Sequence, residues 1–88
     1  ETFLSARAKL ASYILRELRR QPVQAGPIRI KLNQPKKQIA SQLGMAPETF
    51  SRAQGDLESR GLISVSGRSI EIADPPGLES VILGDSEE

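Results

Sequence analysis

Residues 35–60 constrain the fold of this chain more than any other stretch. They read PKKQIASQLGMAPETFSRAQGDLESR, two short helical patterns with a breaker between them. Ile39 and Leu43 fall one turn apart on the first helix, and Phe50 and Leu57 fall two turns apart on the second. Gly44 supplies the left-handed residue that ends the first helix. Pro47 opens the second, where its missing N–H would have no partner in any case. Small Ala40 falls where the helices cross, and a large side chain there would force them apart. The spacing of Ile39, Ala40, Gly44, Met45 and Phe50 is that of a helix-turn-helix. The alternative is an ordinary helical hairpin inside an unrelated core.

The flanks complete a small domain around that pair. Residues 1–20 hold a first helix: Leu4, Ala8, Ala11, Leu15 and Leu18 follow a 3.6-residue period, widened by Phe3, Leu10 and Ile14. Thr2 or Ser5 caps its start, and Arg19 and Arg20 suit its negative end. Pro22, Gly26 and Pro27 then mark a loop. Ile28 to Leu32 alternate strictly, which predicts a short strand with Ile28, Ile30 and Leu32 inward. After the motif, residues 62–72 read as a β-hairpin, Leu62 to Val65 and Ser69 to Ile72 around Ser66-Gly67-Arg68. A hairpin directly after the second motif helix is a wing. Residues 75–83 form a last helix on the first, with a frayed end from Gly84. The expected fold is mainly α with a small β-hairpin, a winged helix-turn-helix in a single domain of residues 1–88.

What the chain lacks narrows its chemistry. It has no cysteine and no histidine. Disulfides, thiolate nucleophiles, zinc sites and histidine acid-base catalysis are therefore outside its reach. No apolar run approaches the ~20 residues of a membrane span. Net charge is only +1, yet residues 1–72 carry all 12 Lys and Arg against 6 acids, while residues 73–88 carry five acids and no base. A basic body with an acidic tail suits a polyanionic partner better than the total suggests.

The second motif helix has a face built for reading. At 100° per residue, with Glu48 as zero, Arg52, Ser51, Gly55 and Ser59 fall within about 60° of it, whereas Phe50 and Leu57 lie opposite. Arg52 can donate two hydrogen bonds to guanine O6 and N7, and Glu48, one turn earlier, can accept from cytosine N4. Ser51 offers a hydroxyl to a neighbouring base. Thr49, with the first-turn N–H groups, suits phosphate contacts that set register. A plain i,i+4 ion pair between Glu48 and Arg52 is the competing reading, and it is compatible with base contact. Gly55 weakens the helix interior by up to ~1 kcal/mol relative to alanine, a cost that close approach to DNA would explain. Lys36 and Lys37 occupy a first turn where the helix dipole disfavours cations, and a phosphate would reverse that penalty. Ser66 and Arg68, on the wing, reach for phosphate oxygens beside the groove.

These residues also carry a resemblance. PETFSR, preceded by KKQIASQLGM and followed by LESRGLI and a short wing, resembles the Crp/Fnr superfamily of bacterial transcription regulators. The resemblance spans essentially the whole chain, counting LASYIL of the first helix and the strand before the motif. It implies the C-terminal winged-helix domain of a larger homodimeric regulator, with an N-terminal β-roll sensor and a long dimerisation helix ending near Glu1 to Leu4. It implies that Glu48 and Arg52 read bases and that Ser51 matches the serine of the Fnr-like branch. The cyclic-AMP receptor branch has arginine where this chain has Pro47, and glycine where it has Ser51. Both departures point to the Fnr or nitric-oxide-responsive Dnr branch, with half-sites like TTGAT or TTGAC and Pro47 against a thymine methyl. Pro35 replaces the more usual serine or threonine, which removes one capping or phosphate contact.

The resemblance further implies a cytoplasmic, nucleoid-associated protein whose partners are double-stranded DNA, RNA polymerase and a second copy of itself. No cofactor is expected in this domain; haem with nitric oxide, a cyclic nucleotide or another effector would bind the N-terminal part. A winged helix used for protein–protein contact is the alternative, although such modules carry apolar or acidic side chains where this one has Glu48, Ser51 and Arg52. An enzyme is not expected, since no nucleophile-base pair, phosphate-cradling loop or metal cluster occurs.

Overall fold

In the computed structural model, residues 5–22, 26 and 28–86 are described. Helix α1 covers Ala6–Arg19. Ser5 starts it: the backbone N–H of Ala8 donates to Ser5 Oγ at 3.1 Å, which satisfies one of the unpaired donors of the first turn. The expected contributions of Thr2, Phe3 and Leu4 lie outside the described residues. Ala8, Leu10, Ala11, Ile14 and Leu15 form the buried stripe of α1. Arg20 sits just past the last turn, as the C-cap.

The two motif helices are α2, Lys36–Gln42, and α3, Pro47–Ser59. Gly44, at φ +74°, makes the turn between them. Its own N–H donates to Ser41 O at 3.0 Å, and the Met45 N–H donates to Ala40 O at 3.0 Å. Those two bonds satisfy the last carbonyls of α2 and send the chain back across it, a geometry a side-chain-bearing residue at Gly44 would strain. Ile39 and Ala40 face Phe50, Ala53 and Leu57 across this junction, all of them buried. Full burial of Phe50 or Leu57 contributes about 1.5–3 kcal/mol each, so α3 is held by its apolar side.

The sheet is larger than the expected hairpin. Strand β1 (Arg29–Lys31), β2 (Ile63–Ser66) and β3 (Ser69–Ile72) form an antiparallel sheet in the order β1-β3-β2. Ile30 lies opposite Ile70, and Val65 lies opposite Ile70 from the other side. Pairing β1 to the central strand puts Ile30, Ile63, Ile70 and Ile72 on one buried face. Arg29, Lys31, Ser64, Ser66, Ser69 and Glu71 fall on the opposite face by alternation. The wing turn is two residues, Gly67-Arg68, because Ser66 pairs with Ser69 and belongs to the strand. Gly67 has φ +59° and Arg68 does not adopt positive φ, the pattern of a type II′ hairpin turn.

Helix α4 spans Pro75–Ser86, three residues beyond the expected end at 83. Asp74 caps it, its Oδ1 accepting from the Gly77 N–H at 3.1 Å, while Pro75 and Pro76 fill the two positions that lack N–H partners. Leu78 and Val81 bury against the core, and α4 packs along α1. No polar or charged residue is buried among the described residues. The core joins all four helices and the sheet in one cluster. No helix among the described residues is long and apolar enough to cross a membrane.

Candidate nucleic-acid interface

The apolar side of α3 fixes what its other side presents. With Phe50, Ala53 and Leu57 buried, Pro47, Glu48, Ser51, Arg52, Gly55 and Ser59 are all exposed. Thr49 is half-buried at the edge of this face. Ala46 precedes the helix with no side-chain cap, and Pro47 has no N–H, so the Glu48 and Thr49 N–H groups begin α3 without a capping side chain. The carboxylate of Glu48 sits in that first turn, where the helix dipole favours negative charge.

The ion pair between Glu48 and Arg52, the competing reading of this face, does not form: among the described residues neither side chain joins an ion pair. An exposed pair of this type is worth only roughly 0.3–0.5 kcal/mol. Both charged groups remain available to an outside partner. The ion pairs of α3 are made by Asp56 instead, to Arg7 of α1 at 3.0 Å and to Arg60 at 3.0 Å. Sequence reasoning missed this cluster. The Asp56–Arg60 spacing of four residues is a visible signal, but Arg7 lies 49 positions from Asp56 and nothing local announces it.

The remaining candidates lie on other elements. Lys36 is half-buried and Lys37 exposed in the first turn of α2, which has no side-chain cap. Ser66 and Arg68 are exposed at the far end of the hairpin. Two hydrogen bonds set that hairpin against the rest. The Leu32 N–H donates to Arg68 O at 2.7 Å, and the Val65 N–H donates to Glu58 Oε2 at 3.3 Å. The first ties the wing turn to the end of β1, and the second ties the hairpin to α3. Lys31 thereby lies across from Ser69 on the solvent face, next to the wing turn, a placement the alternation of residues 28–32 could not reveal without the strand partner. No group of three or more acidic side chains that could hold a metal ion occurs among the described residues.

Residues 8–81 match the family described as the Crp-like helix-turn-helix domain. No curated protein matches the chain. Among solved structures it is similar to FixK2 from Bradyrhizobium japonicum, at 28% identity and a TM-score of 0.77 over 89% of this chain and 38% of that one. It is similar to DNR from Pseudomonas aeruginosa at 30% identity and a TM-score of 0.72, over 86% of this chain and 33% of that one. The CO-dependent transcription factor CooA from Carboxydothermus hydrogenoformans shares the fold at 23% identity and a TM-score of 0.78, over 88% of this chain and 36% of that one. The chain therefore spans about a third of the length of these structures.

Proposed function

Because the chain belongs to the Crp-like helix-turn-helix domains of the Crp/Fnr transcription regulators, we propose that it lays α3 in the major groove of a TTGAT- or TTGAC-like half-site. The observation that carries this reading is the exposed face of α3, on which Glu48 and Arg52 make no internal ion pair. In the proposed complex Arg52 donates its two forked hydrogen bonds to guanine O6 and N7, and Glu48 accepts from a cytosine N4 one turn away. Ser51 takes a neighbouring base, and Pro47 meets a thymine methyl at the start of the helix. Lys36, Lys37, Thr49, Ser66 and Arg68 hold phosphates and set register without reading sequence. The choice of the Fnr-like half-site rests on Pro47 and Ser51, which depart from the cyclic-AMP receptor pattern.

The parent protein, on this reading, works in the bacterial cytoplasm as a homodimer. Two copies of this domain dock on a palindrome with half-sites about 34 Å apart. An N-terminal part binds the effector, whether haem with nitric oxide, a cyclic nucleotide or another ligand, and RNA polymerase is a partner of the whole regulator. Titration of this chain against a TTGAT…ATCAA duplex and a scrambled duplex, over a series of salt concentrations, tests the proposal. Tighter binding to the palindrome at every salt concentration is expected, with affinity for both falling as salt rises. Equal binding to the two duplexes would discard the half-site, and no binding to either at low salt would favour a protein-contact module.

A further inference from the structure

Arg52 has a carboxylate four residues away on each side, Glu48 and Asp56. Helix residues four apart are neighbours, with Cβ atoms about 5–6 Å from each other, and Asp with Arg at that spacing can pair. An arginine held in such a pair has its guanidinium laid along the helix and part of its donor fork occupied. Glu48 makes no pair with Arg52, and the dipole of the first turn favours its charge where it stands. Asp56, one turn after Arg52, leaves it unpaired as well.

Asp56 is engaged on its other side. Its Oδ2 accepts from Arg7 Nη1 at 3.0 Å and lies 3.0 Å from Arg60 Nε. One carboxylate oxygen is compensated by two guanidiniums, one reaching across from α1 and one from the residue that caps α3. Arg7, Arg52 and Asp56 line the same cleft between the start of α1 and α3. Arg52 is thus beside the pair without joining it. On α3 it is also the cation that would remain within one turn of Asp56 if Arg7 and Arg60 were gone.

We propose that Arg7 and Arg60 are positioning residues for base reading: they occupy the Asp56 carboxylate, keep it from capturing Arg52, and leave the Arg52 guanidinium free for guanine. The inference rests on the base-reading role proposed for Arg52. It makes α1 part of the reading apparatus without touching DNA. Losing one arginine leaves the other on Asp56, so the effect emerges when both are replaced.

The test compares three forms of this chain: wild type, R7Q/R60Q, and R7Q/R60Q with D56N. The readout is the ratio of dissociation constants for a duplex carrying the half-site guanine and one with that base pair replaced, at fixed salt. That ratio is expected to fall about twofold in R7Q/R60Q, the size of an exposed pair at this spacing. D56N in the same background is expected to restore it. An unchanged ratio in R7Q/R60Q would overturn the proposal. So would a fall that D56N leaves in place, which would make the bridges plain structural links. A second readout needs no DNA: side-chain nitrogen NMR of Arg52 should show hindered guanidinium rotation in R7Q/R60Q, released again by D56N. Identical Arg52 signals in all three forms would overturn the proposal. If wild type ignored the guanine, the base-reading role would fall while the NMR comparison still decided whether Asp56 takes Arg52.

Discussion

Arg52 and Lys37 carry two different kinds of binding energy. Arg52, on the reading face, should matter for one base pair: Arg52→Ala is expected to cost roughly 1–3 kcal/mol at the cognate site and to relax preference at that position. Lys37, exposed in the first turn of α2, should matter for every sequence alike. Lys37→Ala is expected to weaken all duplexes similarly and to reduce the salt slope by about 0.9, one released counterion. A titration series in salt separates the two. The identity of the exposed residues on α3 was legible because a 3.6-residue period with Phe50 and Leu57 inward leaves Glu48, Ser51 and Arg52 outward. What Asp56 does was not legible, because its two arginines come from the helix end and from α1, and a sequence shows only the first.

Glycine shows how elements decide the sign of a substitution. A Cβ added at Gly77 would meet Leu62 Cδ2 at 2.5 Å and Asp74 Oδ2 at 2.6 Å, because α4 begins directly over the chain leaving α3. Gly77→Ala is therefore expected to destabilise by about 1–3 kcal/mol through overpacking, despite alanine's better helix propensity. A Cβ at Gly55 meets nothing within 4 Å, and the backbone there is ordinary helix. Gly55→Ala should stabilise by up to ~1 kcal/mol, raising the midpoint of thermal melting by roughly 4–8 °C. Melting the two variants side by side checks both signs. The motif helices, their glycine turn and the hairpin were legible from period and breakers. The pairing of β1 with β3 was not, since alternation in residues 28–32 gives a strand but no partner 40 residues away. The extension of α4 to Ser86 also escaped, because Gly84 reads as a breaker in the sequence.

The molecule as a whole responds to pH and salt in ways its charges dictate. Tyr13 of α1 has its phenol pKa raised above the ordinary 10.0, first by burial and then by the carboxylate of Glu17, with Arg16 and Arg20 pulling the other way. The folded state thus holds this proton more tightly than the unfolded chain. Its contribution to stability is whole below about pH 10 and is lost as pH rises through the higher folded value. Tyr13→Phe should flatten that alkaline loss in melts taken from pH 9 upward, an effect kept small by the residue's partial exposure. The charge divided along the chain acts at longer range: the basic residues 1–72 should steer a polyanion toward the face of α3, and the acidic residues 73–88 should not. Base reading by Arg52 is tested by one experiment above all. It crosses wild type and Arg52→Ala with two duplexes, a TTGAT…ATCAA palindrome and the same duplex with each half-site guanine replaced. Wild type is expected to prefer the guanine-bearing duplex, and Arg52→Ala to bind both equally. An Arg52→Ala protein that kept the full preference would contradict base reading by Arg52.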